Sequence, residues 1–161
     1  MNITINPGAT RPLHPDDIKG IHVRLTVDGA RYVHVFLASD GGIARGGRGD
    51  RDFEGSVGDP ELFSRVLERV TPDILRWAGQ SWADPSPRGK TCELLIAFRD
   101  RHGRDAVTRW DYGTESPEPP EELRTFVLTL VEATNPWYRR QIELRRERAW
   151  RLLPAAAEVG A

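Results

Sequence analysis

The sequence predicts an α+β protein, a single domain in which a mainly antiparallel sheet of 4–5 strands carries helices on one face. Three observations lead there. Residues 21–39 and 92–113 each alternate apolar and polar side chains around turn-forming residues, which is the period of half-buried strands paired as hairpins. Each hairpin is followed by helical patterns, so the order is strands, helices, strands, helices rather than single strands alternating with helices. Between Pro119-Pro120 and Asn135-Pro136, Leu123, Phe126, Val127, Leu130 and Val131 fall at the spacing that lines one helix face. Burying five such side chains contributes roughly 10 kcal/mol gross at about 1.5–3 kcal/mol each, so this helix must lie on the sheet.

A chain of 161 residues suits one core, and the single domain is taken to span 1–161 with a peripheral N-terminal arm (1–19) and C-terminal tail (154–161). The arm is read from Pro7, Gly8, Pro12 and Pro15, which interrupt any periodicity. In the first hairpin Ile21, Val23, Leu25 and Val27 share one parity and Asp28-Gly29 marks the turn. A three-residue turn with Gly29 left-handed puts Val33, Val35 and Leu37 on the same face as those residues and gathers His22, Arg24, Tyr32, His34 and Phe36 on the other. The Gly/Arg-rich run from Asp40 to Asp52 reads as a long mobile loop, with brief strand pairing at most over Ile43 to Arg45.

Asp59-Pro60-Glu61 opens a helix with apolar residues Leu62, Phe63, Val66, Leu67 and Val70. Thr71-Pro72-Asp73 opens a shorter one, Ile74 to Ala78, closed by Gly79. Residues 80–89 read as a loop. The second hairpin turns at Arg101-His102-Gly103-Arg104, and its first strand is apolar on both parities, as a central strand is. Asn135-Pro136 should stop the long helix and cap a last one, Trp137 to about Leu152, rich in arginine.

Acids and bases nearly cancel at net −1, so no global field marks a nucleic-acid or membrane binder. Cys92 is the sole cysteine, which excludes an internal disulfide and fits a reducing cytoplasm. No leader pattern or long apolar stretch is visible, and a cytoplasmic, soluble protein is expected.

Motifs for chemistry are few. Gly89-Lys90-Thr91 ends like a phosphate loop, but the position that needs glycine is Asp84 and a strand follows where a helix must start. Arg48-Gly49-Asp50 is a chance-length match to an adhesion tripeptide. His22 and His34 are close enough on the hairpin to share a metal but lack a third ligand. No G-x-S-x-G elbow exists, and Cys92 lies inside a strand. Glu54, Asp59, Asp111 and Glu115 sit at element ends, where carboxylates converge on a cation or act as an acid–base pair, although capping and turn formation already account for Asp59 and Glu115. No catalytic residue, metal ligand or cofactor is assigned.

The expected function is therefore a non-enzymatic protein-binding module, of the immunity or antitoxin type. Candidate interaction residues are Arg45, Arg48 and Arg51 of the glycine-rich run, Trp110, Tyr112 and Glu115 at one strand end, and Trp137, Tyr138, Arg139 and Arg140 at the last helix. A small-ligand pocket or active site built from residues 40–55, the strand histidines and carboxylates is the alternative. A nucleic-acid binder using the C-terminal arginines is the third reading, and the same helix is a candidate homodimer contact.

Overall fold

The computed structural model describes residues 3–5, 12–48 and 52–152 and forms a single α+β domain. Its strands are β1 (Ile3–Ile5), β2 (Ile18–Val27), β3 (Ala30–Ala38), β4 (Gly42–Gly47), β5 (Phe53–Ser56), β6 (Gln80–Ala83), β7 (Thr91–Asp100) and β8 (Asp105–Gly113). They join one eight-stranded sheet in the order β1-β6-β8-β7-β2-β3-β4-β5, larger than the 4–5 strands expected. All pairings are antiparallel except β6 with β8, which makes the sheet mixed.

The two expected hairpins form its centre, joined by β2–β7 pairing. The first hairpin reaches the expected parity by another device. Its turn has two residues, Asp28 (φ 50) and Gly29 (φ 74), both left-handed, and a register shift follows between Leu25 and Thr26. The shift inserts Tyr32 as an extra residue on β3 and restores Leu25, Val23 and Ile21 opposite Val33, Val35 and Leu37.

Part of the Gly/Arg run is strand rather than loop. Residues 42–47 form β4, paired with β3 and β5, and its glycines serve close approach: a Cβ on Gly46 would collide with the Asp52 carboxylate, and one on Gly47 would lie 3.0 Å from the Tyr32 carbonyl. The N-terminal segment joins the sheet at two places, with Ile3–Ile5 beside Trp82–Gln80 and Ile18 buried in β2, and Pro15–Asp17 form a 3-10 turn just before β2. Residues 80–83 are a strand rather than a loop. The tail at 154–161 lies outside the described residues.

Helices α1 (Leu62–Leu67), α2 (Pro72–Leu75) and α3 (Glu121–Leu152) cover one sheet face. Leu123, Phe126 and Leu130 of α3 are almost fully buried against Ile21, Val35, Ile96 and Phe98, as the spacing predicted. Helix α3 does not stop at Asn135-Pro136. It runs 32 residues, about 48 Å, with Pro136 inside it. Proline removes one intrahelical N–H, and the helix is held across that break from outside. Arg45 of β4 reaches over to donate from Nε to Thr134 Oγ1 (3.1 Å) and from Nη2 to Asn135 Oδ1 (3.2 Å).

At the other end of α3, Glu122 accepts hydrogen bonds from Trp77 Nε1 (2.9 Å) and Arg76 Nη2 (2.6 Å). These, with the Trp77 bond foremost, hold its carboxyl at about 2. A depressed carboxylate pKa stabilises the fold above its unfolded value and loses that contribution as pH falls toward the folded one. With the side chain 25% exposed, solvent trims the effect. Glu122→Gln is expected to cost about 1 kcal/mol at neutral pH, and the gap between variant and parent in urea melts should close between about pH 4.5 and pH 2.

Candidate functional site

Residues of β2, β3, β4, β7 and β8 that alternate with the core point away from the helices, and among the described residues no helix covers them. Cross-strand pairing arranges them in rows. One row runs Val107, Ala97, His22, Phe36, Ala44, Glu54, and the next runs Arg109, Leu95, Arg24, His34, Gly46. The His22 and His34 rings lie diagonally, not directly opposite, with centroids 4.8 Å apart and planes at 83°, and Phe36 meets His22 edge-on at 6.5 Å. A Cβ on Gly20 would lie 3.3 Å from the Arg99 Cβ, closer than ordinary contact, and within ordinary contact of the Phe36 ring at 3.6 Å.

On the β4 side of these rings only Ala44 and Gly46 follow, so the surface falls into an open depression of about 460 Å³ bounded by His22, His34, Phe36, Glu54, Gly55 and Arg99. Burial lowers the pKa of both imidazoles, with help from His34 and Arg24 for His22 and from Arg31 for His34, so both rings are neutral at pH 7. The buried Nε2 of His22 has no hydrogen-bond partner among the described residues. The arginines around the depression are paired: Arg99 with Asp105 (2.9 and 3.1 Å), Arg24 with Glu93 (3.1 Å), and Arg31 with Asp52. Glu54 makes no ion pair among the described residues.

A second depression of about 520 Å³ lies toward the β2–β3 turn. Its floor is an ion-pair ladder in which Glu93 accepts from Arg24 (3.1 Å) and Arg109 (2.8 Å), and Arg109 also meets Asp111 (3.0 Å). Tyr112 and Cys92 stand at its rim. Burial, with Cys92 alongside, pushes the Tyr112 hydroxyl to about 12, and burial also pushes the Cys92 thiol up. Neither ionises near neutrality, so neither is an activated nucleophile. Among the described residues no three His, Cys, Asp or Glu side chains are placed to hold a metal ion.

The residues singled out from sequence do not converge. Trp110 is buried, stacked on Trp82 at 4.5 Å and edge-on to Trp77 at 5.3 Å, and locks β6 and the turn after α2 to the sheet. Glu115 is an exposed turn residue whose backbone N–H donates to the Arg88 carbonyl. Arg45 is 7% exposed and faces the helices rather than solvent, donating to Gly46 O as well as to α3 and lying 4.8 Å over the Tyr138 ring. Arg48 is exposed, and Arg51 lies outside the described residues. Trp137 packs over Gly55 and Tyr138 edge-on to Phe53 at 5.7 Å. Arg139 and Arg140 are exposed, with Arg140 paired to Glu143 and Glu147. Trp110 on β8 and Arg45 on β4 are four strand steps apart, about 19 Å, and share no cleft.

Sequence parity located His22, His34 and Phe36 on one face but gave no reason to place Glu54 beside them. That neighbour depends on β4–β5 pairing, which the glycine content concealed. Geometry thus defines an open-faced α+β sheet domain. Compared with protein-family models, curated proteins and solved structures, the chain matches none.

Proposed function

We propose that the chain is a non-enzymatic protein-binding module of the immunity or antitoxin type, which docks its partner on the outer face of the sheet. The observation that carries this reading is the uncovered row of Val107, Ala97, His22 and Phe36, flanked by Leu95 and bordered by the Arg24–Glu93–Arg109–Asp111 ladder. An apolar and aromatic centre within a polar rim is the anatomy of a protein interface. The backbone under it is a continuous sheet, so little ordering accompanies docking.

The test is affinity capture in the native host with the parent chain and with a Val107→Lys, Leu95→Gln double variant of unchanged melting temperature. A stoichiometric protein partner should be retained by the parent and bound about tenfold or more weakly by the variant. Equal retention by both would remove the outer face from the reading. A second reading, a small-ligand site, is favoured by the 520 Å³ depression and its two guanidinium groups. It requires a phosphorylated or carboxylated metabolite to raise the melting temperature, and a nucleotide and sugar-phosphate screen that moves nothing would sink it.

A further inference from the structure

We infer that the depression beside His22 and His34 receives a basic side chain, specifically an arginine, presented by the docked partner. This inference rests on the protein-binding reading and names the chemistry of the contact. The walls are the rings of His22, His34 and Phe36, two of them imidazoles held neutral, and a guanidinium stacks on such faces. Glu54 supplies the charge. Each arginine near the depression is ion-paired, Arg99 with Asp105, Arg31 with Asp52, and Arg24 with the Glu93 that it shares with Arg109, whereas Glu54 on the rim makes no ion pair among the described residues. A carboxylate and a guanidinium form strong charge-assisted hydrogen bonds.

Charge over the whole chain agrees. Residues 139–152 hold six arginines and two glutamates and the tail adds Glu158, so with an overall net of −1 residues 1–138 carry −4. The body that bears the sheet face is therefore acidic and complements a basic partner.

The experiment is an NMR titration of the full chain, labelled at histidine, with N-acetyl-arginine amide and with its neutral isostere N-acetyl-citrulline amide. Saturable shifts of His22 and His34 are expected with the arginine probe, about tenfold weaker with the citrulline probe and about tenfold weaker in Glu54→Gln. Glu54 is exposed on a short edge strand, so this variant should fold as the parent does. Shifts that fail to saturate, that match between the two probes, or that survive Glu54→Gln would overturn the assignment. Sedimentation that finds dimers dissolved by Glu54→Gln would assign the site to a second copy and overturn the separate partner. A captured partner insensitive to Glu54→Gln removes this inference and leaves the protein-binding reading intact. Arginine binding without any captured partner supports the site and removes that reading.

Discussion

Arg45→Ala is expected to cost about 3–4 kcal/mol of folding stability, whereas Arg45→Met should cost about 1 kcal/mol. The difference separates the two things Arg45 does. Its stem and guanidinium fill the space between β4 and α3, and truncation to alanine leaves a cavity beside Tyr138 together with unpaired acceptors on Asn135 and Gly46. Its charge, by contrast, is buried without a carboxylate in contact among the described residues, and desolvation lowers its pKa. Burying an uncompensated cation is unfavourable, so methionine, which keeps the volume and removes the charge, recovers most of the loss. Arg45→Lys should fall between them, because an ammonium cannot reach Thr134, Asn135 and Gly46 from one planar fork. Urea melts give the stabilities. Hydrogen exchange gives the location: Arg45→Ala should lower protection over residues 136–152 more than over 121–134, since the brace sits at the proline. Uniform loss along α3 would show that Arg45 only fills space.

This role also shows where sequence reasoning stopped. Local patterns carried the two hairpins, the inner face of α3 and the shared face of His22 and His34, because each depends on periodicity within one segment or across one short turn. What escaped depends on partners distant in the chain. Gln80-Ser81-Trp82-Ala83 has no strand signature of its own and becomes β6 by lying parallel to Arg109-Trp110-Asp111. The glycines of β4 look like breakers until Asp52 and the Tyr32 carbonyl are seen to need the space where a Cβ would be. Pro136 looks like a stop until Arg45, 91 residues earlier, is found holding the turn before it. The candidate site divides in the same way. Its histidines follow from parity, and its acidic wall follows only from the register of β4 with β5.

Gly113→Ala is expected to destabilise the fold by about 3 kcal/mol or more, although Gly113 has no left-handed φ to protect. The cause is contact. Gly113 ends β8 directly against the backbone of Arg88, and an added Cβ would overlap the Arg88 carbonyl oxygen and amide nitrogen, neither of which is the free end of a flexible side chain. To admit a methyl group the 88–91 segment must move off the end of β8. Four hydrogen bonds would go with it: Glu115 N–H to Arg88 O (3.0 Å), Thr114 N–H to Lys90 O (2.9 Å), Arg88 N–H to Ser116 Oγ (2.9 Å) and Lys90 N–H to Thr114 Oγ1 (3.0 Å). Gly29→Ala is the control. A Cβ at Gly29 meets nothing within 4 Å, so the cost there is only that of a left-handed alanine, about 1 kcal/mol. Melting both variants in urea compares steric exclusion with backbone strain in one sheet. A Gly113→Ala midpoint as mild as that of Gly29→Ala would mean that residues 88–91 yield cheaply. The rim of the 520 Å³ depression, which Pro87 and Thr91 help form, would then be adaptable rather than fixed.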